Sequence, residues 1–102
     1  MKNKIVELIL KNDRKELLNL AFNLNSKFEF DQIFDFFVTI GDANNLGELI
    51  SICPDYVGIL EAEKIVKTEN QEFIFYLLNY GPIKGIVDSK FLDILKKFIE
   101  DK

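Results

Sequence analysis

The chain has 102 residues, a formal net charge of −4 and 48% hydrophobic residues, with five glycines and two prolines. This composition is typical of a folded globular domain and excludes a disordered chain. Because there is no histidine and only one cysteine, an internal disulfide and a thiolate metal cluster are also excluded. We expect a single domain over residues 1–102, without metal or cofactor.

The apolar residues repeat along the chain at an interval of 28 residues. Residues 4–11, KIVELILK, match residues 32–39, QIFDFFVT, in residue type at every position. The same interval aligns Leu18 with Leu46, Phe22 with Ile50, and Leu46 with Ile74. A fixed interval of this length predicts stacked repeats, none of which can bury its apolar face alone. We expect three repeats, at about residues 3–30, 31–58 and 59–88.

Each repeat is predicted to contain two short α-helices. The first helix of the second repeat is expected to begin at Asp31, whose carboxylate can accept from the free amides of the first turn. Asn3 and Ser89 occupy the corresponding positions before the first and last helices. The apolar residues between 33 and 40 cover a wide arc, so this helix must be covered from more than one side.

The second helix of each repeat is predicted to be an outer helix that ends near a proline. In the second repeat it lies near residues 43–52, and Gly41 and Asp42 before it can end one helix and cap the next. Pro54 and Pro82 follow the outer helices at matching positions, where proline stops a helix. With a capping helix at 89–101, the prediction is an all-α fold of seven helices, a short α-solenoid of about three helix-turn-helix repeats.

Residues 72–81, EFIFYLLNYG, resemble the second helix of ankyrin repeats, whose pattern is E-I-V-x-L-L-L-x-x-G. Gly41 and Asp42 stand where that family has its inter-helix turn, and residues 16–18 fit the same pattern in the first repeat. The T-P-L-H signature is absent and the interval is shorter than the family's, so simple loops would replace the β-hairpins. The resemblance implies a protein-binding array. Another solenoid of helical pairs is an alternative, although helices of about ten residues fit ankyrin better.

Catalytic chemistry is not predicted. Without histidine, the usual general base and the Ser-His and Cys-His nucleophile pairs are missing, and no glycine-rich phosphate loop is present. Glu61 and Glu63 are two residues apart on a helix, so they point in different directions. We expect a chain that is not an enzyme.

A carboxylate recurs at the interval of the repeat, at Glu7, Asp35 and Glu63, with Asp93 after a two-residue insertion. Equivalent positions line up in a solenoid, so this row would suit a partner with a basic surface. The alternative is a solvated face, because Lys11, Lys67 and Lys97 lie four residues after three of these acids and can neutralise them.

Aromatic residues give two further candidates for partner binding. Phe28 and Tyr56 occupy equivalent places before the first helices; we expect Phe28 in the core, and Tyr56 either in the core or on the binding edge. On the third outer helix, Phe73, Tyr76 and Tyr80 are predicted to form one stripe. That stripe contacts either a neighbouring helix of the chain or a protein outside it.

These observations favour a non-catalytic protein-binding module that presents a rigid surface. The alternative is a small acidic inhibitor that blocks a nuclease or another nucleic-acid-binding enzyme by occupying its basic cleft. A homodimer through the tyrosine stripe is a further possibility. The negative charge argues against direct binding of nucleic acid. No run of residues is apolar enough for a membrane span or signal peptide, so a cytoplasmic location is expected.

Overall fold

The structure, a computed structural model, describes residues 4–101, and every regular element among them is helical. The α-helices are α1 (Lys4–Leu10), α2 (Arg14–Ala21), α3 (Lys27–Ile40), α4 (Ala43–Ile52), α5 (Ile59–Val66), α6 (Gln71–Leu78) and α7 (Ser89–Glu100). Two short 3-10 helices, Pro54–Tyr56 and Gly81–Ile83, follow α4 and α6. The predictions of an all-α fold and of seven helices are confirmed for this range.

The same kind of turn joins α1 to α2, α3 to α4, and α5 to α6. One residue of each turn has a left-handed backbone; these residues are Asn12, Gly41 and Glu69, with φ angles of 57°, 71° and 54°. The residue after it is Asp13, Asp42 or Asn70, and its side chain accepts a hydrogen bond from the amide three residues later, at 3.0 to 3.3 Å. This bond satisfies one of the free amides of the next helix and fixes where it begins.

The spacing of these turns corrects the alignment of the first repeat. The caps Asp13 and Asp42 are 29 residues apart, whereas Asp42 and Asn70 are 28 apart. Leu17, not Leu18, is therefore equivalent to Leu46, and both side chains are fully buried. Phe22, aligned with the buried Ile50 at an interval of 28, is 68% exposed. The shift of one residue turns its side chain by about 100° around the helix, away from the core.

Helix α3 begins one turn earlier than predicted, at Lys27 instead of near Asp31. The Ser26 hydroxyl accepts from the Glu29 amide at 3.3 Å, and the Glu29 carboxylate accepts from the Asn25 amide at 2.8 Å. These reciprocal bonds satisfy amides that an Asp31 cap would leave outside the helix. Asp31 is therefore a residue of the second turn of α3.

Helix α7 begins at Ser89, the residue predicted to cap it, because Asp88 is the cap. The Asp88 carboxylate accepts from the Lys90 amide at 2.9 Å. The cap predicted at Asn3 lies outside the described residues. Pro54 and Pro82 lie in the two 3-10 helices, past the ends of α4 and α6, as expected of a residue that cannot continue a helix.

The helices pack around one continuous apolar core in an elongated molecule. Helix α4 packs between α2 and α6, α1 packs on α2 and α3, and α7 packs on α5 and α6. Four phenylalanines are fully buried, namely Phe30, Phe34, Phe37 and Phe91. The principal extents are 45 × 23 × 21 Å, so each helical pair contributes to a long surface.

Candidate functional site

Helix α6 exposes two aromatic side chains on the side away from the core. Phe75 is 59% exposed and Tyr76 is also exposed. Glu72 and Asn79 lie one turn before and after them, and we call these four residues the α6 surface. Such a patch of aromatic side chains between polar ones is typical of protein interfaces.

Phe73 does not belong to this surface, although the sequence predicted it on one stripe with Tyr76 and Tyr80. Its side chain is only 4% exposed and packs in the core. The reason is geometric, because residues four apart lie on one face of a helix. Phe73 is four residues before the buried Leu77 and so shares its face.

Tyr76 and Tyr80 contact α4. The Tyr76 hydroxyl donates to the Asn44 side-chain oxygen at 2.9 Å, and the two tyrosine rings lie 6.0 Å apart. The Tyr80 ring covers Gly47 so closely that a Cβ built on this glycine would lie 3.0 Å from it. Burial, together with the nearby Glu48 carboxylate and Tyr76, raises the pKa of Tyr80. The two tyrosines therefore contact a neighbouring helix of the chain, α4 of the second pair.

Phe75 occupies a position that is covered in the other two pairs. It is the fifth residue after the cap of its helix, and the fifth residues after Asp13 and Asp42 are Leu18 and Gly47. Leu18 is buried in the core, and Gly47 is buried beneath the Tyr80 ring. The third pair thus has an exposed phenylalanine at a position where the residues of the first two pairs are buried.

Two grooves lie side by side at the α6 surface. The first, of about 440 Å³, is lined by Glu72, Phe75, Tyr76, Asn79, Tyr80 and Gly81, and we call it the tyrosine groove. The second, of about 490 Å³, is lined by Phe75, Leu78, Asn79, Lys84, Leu92 and Lys96, and we call it the lysine groove. Phe75 and Asn79 line both, so they form the ridge between an acidic and a basic groove.

The predicted carboxylate row is only partly aligned. Asp35 and Glu63 are at equivalent positions of α3 and α5 and both are exposed, but the 29-residue interval shifts Glu7 by one residue around α1. Asp35 also forms an ion pair with Lys64 at 3.0 Å. Within residues 4–101, Lys11, Lys67 and Lys97 form no ion pair closer than 4 Å.

The two loop aromatics differ from each other in their surroundings. Phe28 is largely exposed, which corrects its expected place in the core; the early start of α3 puts it on the outside of the first helical turn. Tyr56 is half-buried, with its ring centre 5.3 Å from that of Phe30. Neither residue adjoins the α6 surface in the two grooves described above.

A buried carboxylate links α3 to α5, and the sequence reasoning missed it. Glu61 is only 3% exposed; it accepts from the Lys27 ammonium at 2.6 Å and from the Gly58 amide at 2.9 Å. Burial alone would lower the pKa of Lys27, but hydrogen bonds and charges of Asp31 and Glu61 outweigh it and raise the pKa. The repeat interval could have indicated this burial, because Glu61 lies 28 residues after Ile33, which is buried in α3.

A second ion pair links the turns of the first and second pairs. The Arg14 guanidinium donates to the Asp42 carboxylate at 2.8 Å, and the same carboxylate accepts from the amide and side chain of Asn45. Burial would raise the pKa of Asp42, but the bonds from Asn45 and Arg14 outweigh it and lower the pKa. This cap therefore stabilises both the α4 terminus and the contact between pairs.

No model of a known protein family matches the chain, and no curated protein or solved structure matches it. Within residues 4–101, no helix is long and apolar enough to cross a membrane. The same range holds no group of three or more histidine, cysteine, aspartate or glutamate side chains placed to bind a metal ion. The candidate function therefore rests on the geometry of the α6 surface.

Proposed function

We propose that this chain is a non-catalytic protein-binding module that engages its partner through the α6 surface. The observation that carries the proposal is the exposure of Phe75 at a position where Leu18 and Gly47 are covered. Burying a phenylalanine side chain fully contributes about 1.5 to 3 kcal/mol. A partner that covers Phe75 gains a large part of this free energy.

The surface is held in place before it binds. Tyr76 is held by its hydrogen bond to Asn44 and by the neighbouring ring of Tyr80, which itself packs on Gly47. Rigid aromatic side chains lose little conformational entropy on binding, so more of the contact energy appears as affinity. A surface of this kind binds a protein without first having to order itself.

We further propose that the three helical pairs form a short ankyrin-like solenoid with α7 as its cap. The recurrence of one turn at intervals of 29 and 28 residues supports this arrangement, as do the contacts of α4 with both α2 and α6. In such a stack each pair covers the one before it. Because α7 already packs on α5 and α6, the open side of α6 would then be the side on which the second helix of a further pair would pack.

The acidic inhibitor is the second candidate, and Asp35 and Glu63 would carry it. The ion pair between Asp35 and Lys64 offsets part of the charge that such a mechanism needs. The two candidates differ in their dependence on salt: binding through carboxylates weakens steeply as ionic strength rises, whereas binding through Phe75 and Tyr76 changes little.

The test compares proteins captured from the host extract by the wild-type chain, by Phe75→Ser and by Phe28→Ser. Phe28 on α3 is an aromatic residue at least as exposed as Phe75, so its replacement is the matched control. We expect at least one protein that the wild type and Phe28→Ser retain in both low and high salt and that Phe75→Ser loses. Identical captured sets for all three chains would contradict the proposal. If those proteins were also lost in high salt, the result would favour the acidic inhibitor.

A further inference from the structure

We infer that the α6 surface binds the α6 surface of a second copy of this chain, giving a two-fold symmetric dimer. The inference rests on the proposed function, since it names the partner of the same surface. It starts from the two grooves on either side of the ridge formed by Phe75 and Asn79.

The grooves carry opposite charge. Glu72 lines the tyrosine groove. The Glu48 carboxylate is close enough to Tyr80, another residue of this groove, to help raise its pKa. Lys84 and Lys96 line the lysine groove, and within residues 4–101 neither has a carboxylate within 4 Å. Each groove thus offers the charge that the other lacks.

A two-fold axis along the ridge uses this complementarity twice. Rotation about such an axis places the tyrosine groove of one copy on the lysine groove of the other, and the reverse. Glu72 of each copy then faces the lysines of its partner. The two Phe75 side chains then face each other at the axis, where each is covered by the other copy.

A second copy fits these observations better than an unrelated protein. An unrelated partner would need an apolar centre with a positive patch opposite Glu72 and a negative patch opposite Lys84 and Lys96. A second copy of the α6 surface, turned about the two-fold axis, has this arrangement. Because the surface consists of one short helix and the edges beside it, the dimer belongs to the class of small, weak interfaces. We expect a dissociation constant on the order of 10 to 100 µM.

The first experiment is sedimentation equilibrium of the full chain up to about 500 µM, well above that constant. We expect a monomer–dimer equilibrium for the wild type and for Phe28→Ser, and a dissociation constant raised at least tenfold by Phe75→Ser. A wild type that stays monomeric over this range overturns the dimer. The capture of a different protein through Phe75 would in that case leave the proposed function standing.

The second experiment exchanges the charges. Glu72→Lys and Lys96→Glu each create like-charge contacts in their own dimers, so each variant alone should associate more weakly than the wild type. In an equal mixture, Lys at 72 in one variant faces Glu at 96 in the other, and Glu72 faces Lys96. Association of the mixture should therefore return to within about threefold of the wild type. A mixture no stronger than the single variants, with circular dichroism unchanged, would overturn this pairing.

Discussion

The ring of Tyr80 lies against the backbone of Gly47, where a Cβ would meet it at 3.0 Å. Gly47 is inside helix α4, where alanine would ordinarily be more stable by about 1 kcal/mol. Glycine at this position is therefore explained by the close approach of the tyrosine. The contact joins the second helical pair to the third and places the Tyr80 ring beside Tyr76 of the α6 surface.

Gly47→Leu should displace Tyr80 and destabilise the fold. Inserting a branched side chain into a tight contact costs about 1 to 3 kcal/mol, which urea unfolding would measure. The control is Gly47→Ala in a Tyr80→Ala background, where the ring is gone. There the alanine should stabilise α4 by about 1 kcal/mol. Equal effects of Gly47→Ala with and without the ring would contradict the contact.

Glu61→Ala should destabilise the chain by about 2 to 3 kcal/mol, because it removes the bond to the Gly58 amide and the partner of Lys27. The Lys27 ammonium is partly exposed and can bind water, so the loss stays below that of a fully buried pair. Glu63→Ala, two residues further along the same helix and exposed, is the control and should change stability by less than about 0.5 kcal/mol. Thermal unfolding of both variants measures the difference.

Glu69→Gly should stabilise the chain by about 0.5 to 1 kcal/mol. Glu69 has a φ of 54°, a left-handed conformation that is costly for a residue with a Cβ and free for glycine. Asn12→Gly, at the equivalent turn, is the control and should not stabilise the chain, because asparagine tolerates this conformation and its Oδ1 accepts from Arg14 Nε at 2.9 Å. A Glu69→Gly variant less stable than the wild type in urea would show that the turn is not strained.

Asp42→Asn should reduce the pH dependence of stability. The pKa of Asp42 is lowered on folding, so its contribution is present above the unfolded value of about 4 and is lost as pH falls through the folded value. The stability gap between wild type and Asp42→Asn should therefore be widest near neutral pH and close in acid. Arg14→Met, which keeps the bonds from Asn45, should give a smaller gap of the same sign. A gap that does not vary with pH would contradict this role.

The sequence predicted the helices well because their signals are local. Apolar periodicity and the turn at Gly41 and Asp42 are enough to place a helical pair. The equivalent turns at Asn12 and Glu69 were missed because neither residue is glycine, so the extra residue in the first interval went unnoticed. That single residue shifted Phe22 and Glu7 out of the alignment.

The candidate site was harder to predict because exposure depends on which elements pack together. The periodicity of α6 identifies its aromatic residues, but not that Tyr80 reaches back over Gly47. Likewise, the spacing of four residues groups Phe73 with Leu77, but in a helix that is apolar all round it does not show which face meets the core. Contacts between residues about 30 positions apart decide where Tyr80 packs and which side of α6 is buried.

Photocrosslinking tests the role of the α6 surface most directly. A benzoylphenylalanine in place of Phe75, introduced in the cells that express the chain, should give a discrete crosslinked product on irradiation, and the same group in place of Phe28 should give none. The mass of the product distinguishes a second copy from another protein. No product from position 75, or equal products from both positions, would contradict a binding role for the α6 surface.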